Sequence, residues 1–153
     1  MTQLRKRAWM LAVVGVVGLA GVVQTLPAQE TKAPQDAKSL HEEMEAIEKA
    51  YRSLKRLVKD PKKLEPALAA VSRMQLHTLN AKDMVPAMAA DKPEAERAQF
   101  IAKYRAGMVN LLKQQLLLEE QLLAGETEKA VETYESLKKL EADGHREFKP
   151  ADH

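Results

Sequence analysis

The sequence predicts an all-α protein, an up-down-up-down antiparallel four-helix bundle that follows a cleaved signal peptide. The chain has 153 residues, which is a one-domain length. It contains 30% charged residues, 4% aromatic residues and 6 glycines, and this composition is typical of helical bundles. Its apolar residues recur at steps of three and four, as they do on one face of a helix. No stretch of the sequence resembles a run of strands.

The N-terminal segment has the three parts of a secretory signal. Residues 5–7 are basic, residues 8–23 are apolar, and Ala28 is a small residue suited to cleavage. The apolar core is short for a membrane span, which needs about 20 residues, so an uncleaved anchor is the second interpretation. We therefore expect a signal peptide at residues 1–28, a periplasmic protein, and no membrane association after cleavage.

Cysteine usage and charge exclude several further classes of protein. The chain has no cysteine, so it can form neither a disulfide bond nor a lipoprotein anchor at the cleavage site. It has 24 Lys and Arg against 22 Asp and Glu, but residues 1–28 hold three of the basic residues and none of the acidic ones. The mature chain thus has 21 basic and 22 acidic residues. A net charge of −1 gives no support to nucleic-acid binding, which requires a basic face.

Helix one is predicted to follow a polar lead-in at residues 29–38, whose composition suggests a flexible segment. Ser39 and Glu42 form a capping box, which predicts that the helix starts at Ser39, and Pro61 marks its end. One apolar stripe follows this helix at steps of four and three: Leu40, Met44, Ile47, Tyr51, Leu54 and Val58.

Helix two is predicted to start near Glu65, because Pro66 fits in a first helical turn but not deeper in a helix. Residues 83–93 contain Pro86 and Pro93 and are expected to form the longest connection. The apolar stripe of helix two consists of Leu68, Val71, Met74, Thr78 and Ala81.

Helix three, at residues 94–123, is predicted to be the longest and most apolar. Gly125 is a typical stop, and the short turn after it predicts an antiparallel hairpin with helix four at residues 128–148. The bundle domain thus covers residues 39–149 and leaves a tail at 150–153. We expect no further strong apolar face, which favours a monomer. The core stripe of helix three is Ile101, Tyr104, Met108, Leu111, Gln115, Leu118 and Leu122, widened by Leu112, Leu116, Leu117 and Leu123; that of helix four is Ala130, Tyr134, Leu137 and Phe148.

Side chains that can bind a metal or a cofactor should meet at one end of this bundle. The starts of helices one and three and the ends of helices two and four lie together there. A soft apolar pocket with imidazole and thioether groups suits the iron of a haem, and Met/His ligation is associated with electron transfer. No phosphate loop, nucleophile motif or His-Glu-x-x-His motif occurs, so we expect no enzyme. The residues expected at that end are Met44, Met74, His77, Tyr104, Met108, His145 and Phe148.

In three segments, residues 40–45, 68–82 and 107–145, the chain resembles the cytochrome b562 family of periplasmic four-helix haem proteins. The resemblance implies an electron carrier with one haem b, whose axial ligands are Met44 and His145, and a redox partner protein. Because no Cys-x-x-Cys-His motif is present, the haem would be bound without covalent bonds. The family's other pocket positions fall on Ile47, Met74, Tyr104 and Met108.

Three alternatives remain open at this point. The first is that His77 and His145 together coordinate the haem iron. The remaining candidate, His41, is expected to face water. A haem-free binding or stress-response protein that keeps the same scaffold is the second. It draws on Gly144 and Glu141, which replace an aromatic and a basic residue of well-studied family members. Haem sensing or carriage is the third.

Overall fold

The computed structural model describes residues 33–149, with side chains from Ser39 onward. The predicted signal peptide, the first part of the predicted lead-in and the predicted tail at 150–153 lie outside the described residues. Short 3-10 turns at Pro61–Lys63 and Ala87–Ala89 lie in the first two connections. The four helices are α1 (Ala33–Leu57), α2 (Leu64–Ala81), α3 (Glu94–Leu123) and α4 (Thr127–Phe148).

The start of α1 differs from the prediction. The helix begins at Ala33, so Ser39 lies inside it, the predicted capping box is wrong, and residues 33–38 belong to the helix. A capping box is a local signal, and it has no effect where the preceding residues continue the helix. Pro34 is compatible with this earlier start, because a proline in the first turn removes no intrahelical hydrogen bond.

The other helix ends agree with the prediction to within one residue for α2, α3 and α4. Before α2, the side chain of Asp60 accepts a hydrogen bond from the Lys62 backbone N–H at 3.1 Å and caps the turn that contains Pro61. After α3, Gly125 has a φ of 71°, a left-handed conformation that favours glycine and ends the helix.

The helices form the predicted up-down-up-down bundle. Close backbone contacts join α1 to α2, α2 to α3 and α3 to α4, and each pair is antiparallel. The larger core cluster includes Leu54, Leu118 and Leu137, each at most 2% exposed. None of the helices in the described part of the chain is long and apolar enough to span a membrane. The smaller core cluster consists of Leu40, Ile47, Ala81, Tyr104 and Met108.

Side-chain contacts also join the helices, among them one between α2 and α3 and one between α1 and α4. Gln115 Nε2 donates to Thr78 Oγ1 at 2.9 Å, which links α3 to α2 between two fully buried residues. The rings of Tyr51 and Tyr134 stack with centroids 4.5 Å apart and link α1 to α4. The second contact matters for the site described next, because few other close backbone approaches connect α1 and α4.

The predicted widening of the buried face of α3 is wrong for three of its four leucines. Leu116, Leu117 and Leu123 are 50%, 38% and 62% exposed, and only Leu112 is half-buried. Successive residues of a helix are turned by about 100°, so Leu116 and Leu117 point well away from the buried Gln115. The core stripe alone, from Tyr104 to Leu122, faces the other helices.

Candidate functional site

A cavity of about 730 Å³ opens in the part of the bundle where α1, α3 and α4 meet. The stacked Tyr51 and Tyr134 hold α1 against α4, and Tyr51 also lines the cavity. The cavity's lining is mainly apolar, and its volume lies within the roughly 300–1,000 Å³ typical of cofactor pockets. The six site residues predicted from the sequence all line it: Met44, Ile47, Met74, Tyr104, Met108 and His145.

Met44 reaches the cavity from α1. It is half-buried and belongs to the apolar stripe in which Leu40 and Ile47 are each 9% exposed. Packing against the cluster of Tyr104 and Met108 holds the methionine at the boundary between core and cavity. A thioether in this position is a soft donor for a metal and a weak hydrogen-bond acceptor.

His145 reaches the same cavity from the last turns of α4. Its side chain is exposed, and it makes no hydrogen bond or ion pair with any residue that the structure describes. Its backbone carbonyl accepts the Lys149 N–H at 3.1 Å, which closes the end of the helix. Both ring nitrogens are therefore free of partners among the described residues, so one of them is available to a metal.

The turn that carries His145 is attached to α3 on two sides. The Phe148 ring meets the rings of Tyr104 and Phe100 edge-on, with centroids 5.4 Å away in both cases. Next to it, Glu147 forms an ion pair with Lys103. These contacts hold the turn in helical form even though Gly144, a weak helix former, lies directly before the histidine.

Tyr104 forms part of the cavity wall with a fixed orientation. Its hydroxyl donates to the Ala81 carbonyl at 2.9 Å, and only 2% of the residue is exposed. Burial raises the pKa of Tyr104, because the charged phenolate would be poorly solvated there. The pKa of Tyr51 is also raised, first by burial and then by its interaction with Tyr134. Both wall tyrosines therefore remain neutral at ordinary pH.

The mouth of the cavity carries more acidic than basic side chains. Three of the acidic groups have partners on their own helix: His41 Nε2 lies 3.4 Å from Glu45, Arg52 lies 3.2 Å from Glu48, and Arg146 pairs with Asp143. Glu141 is half-buried at the edge. Anionic groups of a ligand would therefore be best placed in solvent or near the basic residues. The charged residues of the lining are Glu45, Glu48, Glu141, Asp143 and Glu147 against Lys103 and Lys149, with His41.

The two other candidate histidines have different surroundings: His77 bonds to Glu43, and His41 lies at the mouth of the cavity. His77 lies 2.6 Å from Glu43 through its Nδ1, and Asn80 donates to the same carboxylate at 3.3 Å. His77 is not among the lining residues, which argues against the alternative in which His77 and His145 both ligate the iron. It follows Met74 by three positions, and that rotation turns it towards α1. His41 is exposed as expected, yet it also lines the mouth.

Sequence reasoning missed several lining residues. Leu40, Tyr51 and Leu111 lie on the stripes already identified, so their periodicity was a usable signal. Pro86 and Ala87 lie in the connection between α2 and α3, where no periodicity exists. Their place in the wall depends on how the connection folds back.

The lining residues fit a haem. One thioether and one imidazole, from the first and last helices, face one apolar cavity. Methionine and histidine are ligand types that haem iron accepts. Aromatic and aliphatic side chains make up most of the remaining wall, which suits the faces of a porphyrin ring.

Comparisons with known proteins bear on the same part of the chain. The family model described as cytochrome b562 matches residues 39–149, which is well over half of the sequence. A comparison with curated protein sequences gives no significant match.

Proposed function

The chain belongs to the cytochrome b562 family, and from this premise we propose that it is an exported b-type cytochrome with Met44 and His145 as the axial ligands of one non-covalent haem b. Members of the family are haem-binding electron carriers, not enzymes. The observation that carries the proposal is that these two side chains, from opposite ends of the domain sequence, line one apolar cavity.

The two proposed ligands have complementary environments. Met44 is half-buried against the smaller core cluster, so its thioether has little competition from water. His145 is exposed but has no hydrogen-bond partner among the described residues, so a ring nitrogen is free to coordinate. A bound haem would supply a reversible one-electron couple, whose potential a methionine ligand raises.

The remaining lining residues position the ring and exclude water. Ile47, Met74, Tyr104 and Met108 are all buried at 9% exposure or less, and they offer apolar surface to the cavity. Because each belongs to a helix packed in the core, the wall exists before any ligand arrives. A preformed site favours electron transfer, since a change of oxidation state then requires little rearrangement of the protein.

The electron would be exchanged with a separate redox protein at the mouth of the cavity. His145 is the exposed proposed ligand, and its exposure makes the mouth the shortest route to solvent. The mouth is edged mainly by acidic side chains, including Glu141 and Asp143. A partner with a basic contact surface would be attracted there, and salt would weaken that encounter.

Haemin titration tests the ligand assignment. The purified protein should bind one haemin and give a sharp low-spin spectrum on reduction, and Met44→Ala and His145→Ala should each abolish that spectrum. Met88→Ala and His77→Ala are matched controls, because Met88 and His77 lie outside the cavity lining, and both should behave like the wild type. A folded protein that never gives a low-spin spectrum would contradict the proposal.

Export requires a separate measurement. The basic residues 5–7, the apolar residues 8–23 and the small residue Ala28 support a cleaved secretory signal. Protein made from the full chain in an exporting host should appear in the periplasm with Gln29 as its first residue, as read by mass spectrometry. Retention of residues 1–28 in a membrane fraction would favour an uncleaved anchor.

A further inference from the structure

Two neighbouring helices expose a set of large apolar side chains that the bundle does not use. We call this set the α2–α3 leucine face; it consists of Leu76 and Leu79 on α2 and Val109, Leu116 and Leu123 on α3. Leu76, Leu116 and Leu123 are 54%, 50% and 62% exposed. None of the five lines the cavity. Large exposed apolar patches are uncommon on monomers and mark interaction sites.

The residues of this face on α3 lie on a helical stripe of their own. Val109, Leu116 and Leu123 are each seven residues apart, which places them on one side of the helix, and the half-buried Leu112 lies on the same side. The core stripe from Tyr104 to Leu122 occupies a different side. A helix with two apolar sides is expected to be covered on both, and the monomer covers only one.

A polar contact shows that the two helices present one common surface. Gln75 Nε2 on α2 donates to Glu119 Oε2 on α3 at 2.7 Å. Leu79 follows Gln75 by one helical turn, and Leu116 precedes Glu119 by three residues, so both leucines flank this contact. The leucines therefore belong to one continuous surface and not to two unrelated ones.

The charges beside Leu116 identify a second copy of this chain as the occupant. Lys113 and Glu120 are seven residues apart, hence on the same flank of α3, and both are exposed. Neither makes an ion pair with any other residue that the structure describes. If two α3 helices cross antiparallel near Leu116, Lys113 faces the partner's Glu120, and the symmetric pair forms as well. A parallel crossing would place like charges together.

We propose that the α2–α3 leucine face is a self-association surface, on which two copies pair their α3 helices antiparallel about a two-fold axis. Such an interface stops at two copies, because each copy contributes the same patch and the dimer buries both patches. The expectation of a monomer, made from the sequence, overlooked this face. The proposal is independent of haem binding, since none of the residues of the face lines the cavity.

Sedimentation equilibrium on protein expressed from the full chain tests the proposal. At about 100 µM the wild type should be largely dimeric, with no larger species. Leu116→Glu should raise the dissociation constant at least about tenfold, because it puts two carboxylates at the two-fold axis. Leu117→Glu is the matched control: Leu117 is adjacent and also exposed, but it points about 100° further round α3 and should leave the dimer intact.

The charge pair offers a second, more specific test. Lys113→Glu should weaken the dimer by roughly threefold to tenfold, because each copy then places a carboxylate at position 113 against the partner's Glu120. The double variant Lys113→Glu with Glu120→Lys should return the dissociation constant to within about twofold of the wild type, because the pair is only reversed. Circular dichroism establishes that each variant keeps its helices.

Four outcomes would overturn the proposal. They are a wild-type protein that stays monomeric at about 100 µM, larger open assemblies, equal weakening by Leu116→Glu and Leu117→Glu, and a charge reversal that fails to restore association. The charge-reversal test is decisive even if Leu116→Glu does not fold. Lys113 and Glu120 are exposed and make no ion pair with another described residue, so their substitution should not disturb the fold.

Discussion

The ring of Phe148 meets the ring of Tyr104 edge-on, with centroids 5.4 Å apart and planes inclined at 79°. Phe148 lies one turn after His145, and Tyr104 is fixed to Ala81 by its hydroxyl. The position of the proposed imidazole ligand thus depends on an aromatic contact between the last helix and the wall of the cavity. Gly107 lies beneath this contact, with Phe148 Cε2 3.9 Å from where a Cβ would be.

Loss of the Phe148 ring should weaken the site more than it weakens the fold. Phe148→Ala removes both edge-on contacts of a half-buried ring, so it should cost roughly 1–3 kcal/mol of stability. It should also lower haemin affinity and convert part of the low-spin spectrum to high-spin, because the turn with His145 loses its attachment. Phe148→Tyr should restore the spectrum. If Phe148→Ala lowered stability but left spectrum and affinity unchanged, the ring would not position His145.

Substitution by alanine should change the stability of the protein in opposite directions at two glycines, one in α4 and one in the turn before it. A Cβ at Gly144 would meet nothing within 4 Å, and the residue is helical, so Gly144→Ala should stabilise the protein by about 1 kcal/mol. Gly125 has a φ of 71°, so Gly125→Ala should destabilise it by about 1 kcal/mol. Urea unfolding midpoints of the two variants test the pair. A loss of stability in Gly144→Ala would mean that the glycine has a role beyond the helix.

Stability should fall in alkaline solution. The pKa of Tyr104 is raised in the folded state by burial, so the folded protein holds this proton when the unfolded chain has lost it. Its contribution to stability is complete below the unfolded pKa near 10 and declines as pH rises above that value. Urea midpoints between about pH 8 and 11 should show the decline. Tyr104→Phe should make it shallower, and an unchanged slope in that variant would contradict the assignment.

The buried pair of Thr78 and Gln115 should show strong coupling. Gln115 Oε1 has no hydrogen-bond partner among the described residues, and Nε2 relies on the Thr78 hydroxyl. Thr78→Val should therefore cost about 1–3 kcal/mol, since it leaves a buried amide unsatisfied. Adding Gln115→Leu should recover most of the loss, because both polar groups are then removed. Additive effects in this double-mutant cycle would disprove the coupling.

Most of the fold was predictable because helix formation and apolar periodicity are local. The stripe from Tyr104 to Leu122 on α3 and its end at Gly125 were both visible in the sequence. The start of α1 was not, because Ser39 has the residue type of a cap while its neighbours continue the helix. The exposure of Leu116 was not predictable either, since an apolar residue does not reveal whether another helix covers it.

The candidate site was likewise predictable from the sequence in part only. Periodicity placed Met44, Met74 and Met108 on core-facing stripes, and bundle topology brought them to one end with His145. Periodicity did not determine the direction of His77, which turns to Glu43, or the fold of the connection that brings Pro86 to the cavity. Those outcomes depend on contacts between residues far apart in the chain.

The sequence by itself determined four amphipathic helices, their order and the soft donors on their inner faces, because a period of about 3.6 residues is set by local backbone geometry. Only the tertiary structure decided that α1 and α4, joined at Tyr51 and Tyr134, leave space for a cavity between Met44 and His145. It also decided that α3 keeps a second apolar side in solvent. Both follow from how close the helices approach one another, and that distance depends on the packing of side chains from all four.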